Sequence, residues 1–466
     1  MNERVKWIQK QWWLAGIDLS VENTQAKEEG RNLSRVQSEF DRLLAVKEAN
    51  RTEQWYAAAA ALTDRIQTLP VRKDYRYIEP SDLAGIQAVR PKSTTLQTWH
   101  GTRSEFLRRL HGGLLGRICG CLLGKPIECC WREDLQIFGE ETGNWPIRDY
   151  YRTPTTREAK HIASRKPHLN LRTLPGWLRD TMHGMVEDDD TNYTTTGFAI
   201  VKKYGADFTP VDVANFWCDN IPIFHTCTAE RVAYRNFVDC IIPPASATHR
   251  NPYREWIGAQ IRADYFGYAN PGNPKRAAEW AWRDASISHI KNGIYGEMWV
   301  AAMLAAAYVE KDWVKIIRAG LAQVPVNCRL REDVEKIITA HAAGLNFEEV
   351  VQLVHTQWDE RVFHNWCHTN SNAQVVVIGL LWGEDDYEKT ITRAIMPAFD
   401  TDCNGATAGS LWGVKHGVDA LPKKWTRPMH DIIRTGVDGY HEVKISKLAE
   451  EMVDVALKAA PHRRRK

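Results

Sequence analysis

Two ladders of glycine constrain this chain more than any other feature of its sequence. Gly112, Gly116, Gly120 and Gly124 are spaced by four, and so are Gly405, Gly409, Gly413 and Gly417. Four residues advance about 400° around a helix, so each ladder draws a ridge without side chains along one face. A glycine inside a helix costs roughly 0.5–1 kcal/mol relative to alanine, so a run of them needs an offset. Close approach of another backbone is such an offset. The ladders predict two central helices that pack unusually tightly, with Gly124 and Gly417 alternatively acting as helix caps. Arg117 interrupts the first ladder and argues against its packing inside a membrane.

The surrounding sequence is helical in character. Glu297–Val309 is an Ala-rich apolar run too long for a strand. Ala277–Asn292 continues a helical pattern, whereas Gln374–Trp382 is apolar without a period and reads equally as helix or strand. Strand alternation is scarce, and loops are marked by Ile242-Pro243-Pro244, Tyr268–Pro274 and Thr153-Pro154. The expectation is an all-α, compact orthogonal multi-helix domain over residues 101–460. Residues 1–100 differ, being rich in Gln, Glu, Arg and Lys. Helical stretches there include Arg35–Lys47 and Glu53–Ile66, the latter with Trp55, Tyr56, Ala59, Ala60 and Leu62 on one face. An irregular stretch, Thr68–Pro91, follows. This part reads as a helical N-terminal extension, for oligomer contact, as a lid, or for packing alone. Residues 461–466 read as a solvated basic tail.

Composition narrows the function classes. Hydrophobic residues are 44% and charged residues 26% of the 466, as in soluble globular proteins. The net charge of +3 argues for no polyanion partner. No apolar run is long enough to span a bilayer, and the charged start Met1–Leu19 is no secretory signal. Ten cysteines then fit a reduced, cytoplasmic protein. Cys119, Cys121, Cys129 and Cys130 have no zinc-finger spacing and read as small core thiols.

Two acidic clusters carry the chemistry. Glu187, Asp188, Asp189 and Asp190 stand in a row before Thr191-Asn192-Tyr193-Thr194, and no Lys or Arg occurs from Thr181 through Val201. Adjacent carboxylates repel, so a bound cation is the simplest compensation; a solvated acidic turn at a helix start is the alternative. Asp400-Thr401-Asp402-Cys403-Asn404 opens the helix of the second ladder. All-oxygen donors suit Mg2+ or Mn2+, with Ca2+ as an alternative, and the number of carboxylates points to two ions.

These residues resemble the ADP-ribosylglycohydrolase family. Gly116-Arg117-Ile118-Cys119-Gly120-Cys121-Leu122-Leu123-Gly124-Lys125-Pro126-Ile127-Glu128 is similar to its opening glycine helix ending in Glu. Asp189-Asp190-Thr191 is similar to its D-D-T motif, and Asp400-Thr401-Asp402 with Ala406 and Gly409 to its D-T-D motif. Asp284-Ala285-Ser286-Ile287-Ser288-His289 is similar to the segment that ends in a Ser-His or Thr-His pair. The four occur in the family's order over residues 105–420. The resemblance implies an all-helical domain holding two Mg2+ ions, with Asp188, Asp189, Asp190, Asp400 and Asp402 on the ligand positions. Three positions depart from the pattern: Asp188 and Cys403 replace Thr, and Cys121 replaces an acidic residue. A Gly-rich diphosphate loop is not recognisable.

The resemblance implies hydrolysis of an N- or O-glycosidic bond at a ribosyl anomeric carbon. Glu128 is the candidate acid or base, with Asp189 and Asp402 as catalytic partners; an ordinary helix-end carboxylate is the plainer reading of Glu128. His289, Asn292, Asn370 and Asn404 are candidate substrate contacts, each with a structural alternative in capping or core hydrogen bonding. Trp217, Trp256, Trp280 and Trp282 are candidates to stack a base, with core packing as the more common role of Trp. The expected partner is a small ribosyl or glycosyl substrate or an ADP-ribosylated protein, with a homo-oligomer left open. A glycosyl-processing enzyme that does not use ADP-ribose and a non-catalytic binding protein are the competing readings.

Overall fold

The computed structural model describes residues 2–15, 17–91, 96–166 and 174–460, so the basic tail at 461–466 lies outside the described residues. Helix dominates. The extension contributes α1 (Leu19–Glu28), α2 (Gln37–Leu44) and α3 (Glu53–Ile66). The main body is organised by α4 (Arg103–Gly124), α5 (Asp189–Tyr204), α6 (Pro274–Ala285), α7 (Lys291–Ala307), α8 (Arg329–Ala342), α9 (Thr369–Trp382) and α10 (Thr401–His416). Among the described residues the one sheet is a hairpin of β1 (Ile432–Arg434) and β2 (Glu442–Lys444), antiparallel, with Ile433 opposite Val443.

The two glycine ladders face each other. α4 and α10 run antiparallel, with Gly112 against Gly413, Gly116 against Gly409, Gly120 against Gly405 and Gly124 against Thr401. A Cβ on Gly112 would stand 2.5 Å from the Gly413 carbonyl oxygen, inside any van der Waals contact. Backbone therefore meets backbone along the seam, and dispersion contacts offset the helix-propensity cost of glycine. Gly417 is also a true cap, with φ +88°, whereas Gly124 stays helical and belongs to the seam.

α7 explains its own apolar run: from Asn292 to Ala307 every residue is buried. The same holds for α9 between Thr369 and Leu381, which is a helix and not a strand. A helix buried on all sides shows no amphipathic period, which is why its sequence was ambiguous. The expected helical continuity of Ala277–Asn292 breaks after Ala285. The backbone of Arg254 crosses there and its carbonyl takes the Ile290 N–H at 3.0 Å, so α7 starts afresh at Lys291. Trp217, Trp256 and Trp280 are fully buried, and Trp282 donates to the Ser81 carbonyl, so the expectation that they stack a base is replaced by core packing.

The extension has its own apolar cluster, including Phe40, Trp55, Leu62 and Ile66. Buried ion pairs join it to the main body. Arg254 holds Glu22 and Glu29, each at 2.6 Å, and Arg329 holds Glu79 and Glu255, each at 2.8 Å. Among the described residues no helix is long and apolar enough to cross a membrane.

Candidate functional site

The seam fixes where the chemistry sits. Because α4 and α10 are antiparallel, the end of α4 abuts the start of α10, and the Thr401 hydroxyl donates to the Gly124 carbonyl at 2.9 Å. That places Asp402 beside Cys121 and Lys125. α5 approaches from the other side with Asp188 as its N-cap, accepting the Asp190 N–H at 2.9 Å. Ligand atoms of Cys121, Asp188, Asp190 and Asp402 lie within 4.8 Å of one another. Those of Asp400, Asp402 and Cys403 meet the same limit, so Asp402 is common to both groups. The two acidic clusters, more than 200 residues apart in sequence, share one buried centre.

Two cations enter it from α4. Arg117, fully buried, pairs with Asp190 at 2.7 Å and with Asp264 at 2.7 Å, and also donates to the Ile261 carbonyl at 2.6 Å. The Lys125 ammonium bonds Asp188 directly and lies 3.8 Å from Asp402. The Trp177 ring faces it, with the centroid 4.9 Å away. These cations do not neutralise the whole centre. Burial, then the Asp188 charge, pushes Asp189 up to about 7. Burial and the neighbouring carboxylates likewise raise Asp402, and raise Asp400 and Asp190 well above the usual range. Asp188 alone goes down, because Lys125 beside it outweighs its burial. Asp190 Oδ2 and Asn404 Oδ1 are buried with no hydrogen-bond partner.

Glu128 follows the short 3-10 turn after α4 and is half-buried. Its N–H donates to the Lys125 carbonyl at 3.3 Å, which puts it beside the centre, and its charge acts on Lys125, Asp400 and Cys227. Asp189, half-buried, is not among the carboxylates whose oxygens cluster, but its charge acts on Asp190. Asn404 reaches the centre through Asn372, whose Oδ1 accepts from Asn404 at 2.8 Å and from the Asp400 N–H at 3.1 Å.

The remaining candidates make other contacts. His289 sits in the break between α6 and α7, not on a helix, with Nδ1 2.8 Å from the Ser288 hydroxyl. Burial and the Arg262 charge hold it well below the ordinary imidazole range. Asn292 spends both ends on the joint with the extension: its amide donates to Glu79 and Glu255 at 2.8 Å each, and its oxygen accepts the Leu330 N–H. Asn370 donates to Asp333 of α8 at 2.8 Å.

Lys125 and Arg117 were not legible as site residues, whereas Asn372 stands in the polar His368–Asn372 stretch that the sequence offers as cleft lining or capping. Arg117 stands within the glycine ladder and Lys125 directly after its last glycine, and that was the available signal. Cys121 lies in the core as expected, and it also borders the carboxylates, because the seam turns that face of α4 toward Asp188.

A second cluster, Glu28 with His364 and His368, also brings ligand atoms together. Its hydrogen bonds argue against a metal. Trp256 Nε1 donates to His364 Nδ1 and the Asn370 N–H donates to His368 Nδ1, both at 3.0 Å. Each ring must then carry its hydrogen on Nε2, which faces the Glu28 carboxylate at 3.1 and 3.3 Å. It is a hydrogen-bonded joint between α1 and the main body.

A solved "ADP-ribosylglycohydrolase-related protein complex" is similar at 18% identity, covering 76% of this chain and 98% of that one, with a TM-score of 0.43. No curated protein matches the chain. The profile described as ADP-ribosylglycohydrolase matches residues 102–461. That match takes in both glycine ladders and both acidic segments, and the chain belongs to the ADP-ribosylglycohydrolase family.

Proposed function

We propose that this protein is a metal-dependent glycohydrolase that cleaves an N- or O-glycosidic bond at a ribosyl anomeric carbon. The observation that carries the reading is the convergence of Asp188, Asp190, Asp400 and Asp402 on one centre with Glu128 at its edge. Arg117 and Lys125 leave carboxylate charge in excess, and the partnerless Asp190 Oδ2 adds a buried donor. That donor set fits a hard divalent cation, Mg2+ or Mn2+ with Ca2+ as an alternative. Asp190, Asp400 and Asp402 would hold it, with Asp188 and Asp189 around them. Two ions, the sequence expectation, would need Asp188 and Asp402 freed from Lys125. When bound, such an ion supplies positive charge to fix sugar hydroxyls and acidify water.

The residues themselves account for the proton movements. Cleavage breaks the C1 bond and puts negative charge on the leaving atom, which Glu128, protonated, neutralises by giving up its proton. The entering water bonds C1 and loses a proton to a carboxylate. Asp189 is the candidate for that carboxylate. The substrate is an ADP-ribosylated protein or a smaller riboside. The missing glycine-rich diphosphate loop favours a smaller, non-ADP-ribosyl substrate as the second reading. The site departures at Cys121 and Cys403 favour a third, a binding protein without turnover. The test is release of free sugar from ADP-ribosylated proteins, nucleosides and simple ribosides with Mg2+ or Mn2+. Turnover lost in Asp402→Ala supports hydrolysis; no release from any substrate rejects it.

A further inference from the structure

The Lys125 ammonium occupies a position that a family-wide reading of the acidic motifs does not anticipate. It lies between one carboxylate of each acidic segment, bonded to Asp188 and 3.8 Å from Asp402. These are two of the groups whose ligand atoms lie within 4.8 Å of each other. The side chain is 10% exposed, so the charge is held there by burial and is no mobile surface lysine. Its base is fixed as well. Lys125 follows Gly124, whose carbonyl is tied to Thr401, so the seam that sets Asp402 also sets the root of the ammonium.

On the other side of Asp402 the arrangement is different. Asp400 and Cys403 approach it, while Asp190, clustered with Cys121, Asp188 and Asp402, keeps one oxygen for Arg117 and has the other buried and unpartnered. Asp190, Asp400 and Asp402 thus keep carboxylate oxygens to spare, whereas Asp188 already has a cation. Each group also holds one thiol, Cys121 or Cys403, and a hard ion such as Mg2+ or Mn2+ disfavours sulfur. Like charges sharing one set of ligands repel strongly where water is excluded.

We propose that Lys125 is a resident replacement for a second metal ion, so that the centre binds one divalent cation, through the carboxylate oxygens that Lys125 leaves free. This rests on the proposed reading of the centre as a cation site. It deepens that reading by setting the stoichiometry and by making Lys125 a positioning residue that locks Asp188 and Asp402.

The test is metal stoichiometry on the full chain, freed of metal and titrated with Mn2+ by calorimetry, with electron paramagnetic resonance on the loaded protein. One Mn2+ per chain is expected, with the spectrum of an isolated ion. Lys125→Met should bind two, with a spin-coupled spectrum, and Lys125→Arg, which keeps the charge, should bind one. Two ions in the unaltered protein would overturn the inference and leave the hydrolase reading standing. A single ion of unchanged affinity in a folded Lys125→Met protein would also overturn it. No binding at all would overturn both. If Lys125→Met does not fold, the count and spectrum of the unaltered protein decide alone.

Discussion

Replacing Gly120 by alanine separates two opposed effects. Helix propensity alone favours the change by roughly 0.5–1 kcal/mol. The seam opposes it: a Cβ on Gly120 would lie 2.5 Å from the carbonyl carbon of Gly405 and 3.1 Å from Ala406 N, with the Gly405 oxygen closer still. Ordinary carbon contacts begin near 3.5 Å, so α4 and α10 must part by about 1 Å locally. A gap of that size forfeits about a quarter to a half of each contact's dispersion energy, and overpacking typically costs about 1–3 kcal/mol. Net of propensity, Gly120→Ala should lose roughly 1–2 kcal/mol, read as a lower urea midpoint with an unchanged slope. Gly197 in α5 is the matched control. Its Cβ would meet only side-chain atoms of Phe266 and Tyr265, at 3.3 Å and beyond, so Gly197→Ala should be close to neutral. If Gly120→Ala proves as stable as the parent, the seam is not held by backbone contact and the reasoning fails.

Glu128→Gln should cut the rate of sugar release by roughly 10²–10⁴-fold while Mn2+ binding persists, if Glu128 transfers the proton; equal loss of metal binding in calorimetry would assign it to the ion instead. Arg329→Met removes the partner of Glu79 and Glu255 and leaves buried carboxylates unpaired, so chemical denaturation should show a loss of about 3–5 kcal/mol, and protease should cut the extension faster. Glu360 is raised by burial from 4.5 to about 7. Its protonated form is the one the fold favours, so its contribution is complete below pH 4.5 and is lost as pH rises through 7. Glu360→Gln should therefore flatten the stability profile across that window and be the more stable protein at pH 8; an unaltered slope in urea midpoints against pH would contradict it.

The ladders were legible because spacing by four is a local pattern. That the two ridges face each other was not, since pairing across nearly 300 residues depends on the whole fold. The acidic clusters were equally legible, and their lack of nearby Lys or Arg suggested a cation. The fold supplies Arg117 and Lys125 from α4 instead, so part of the compensation comes from a distant helix. Cys121 keeps its expected core position, and only the fold shows that this position borders the centre. His289 and Asn292 were read as one helical run, but the Arg254 carbonyl breaks it, and Asn292 serves the joint with the extension. Short-range patterns thus located the carboxylates, while their counter-charges needed three dimensions.

The most direct measurement is the anomalous scattering of Mn2+ in crystals of the full chain. A peak ligated at once by carboxylates of the Asp188–Asp190 segment and of the Asp400/Asp402 pair is expected. A peak held by one segment alone, or none at saturating Mn2+, would contradict it.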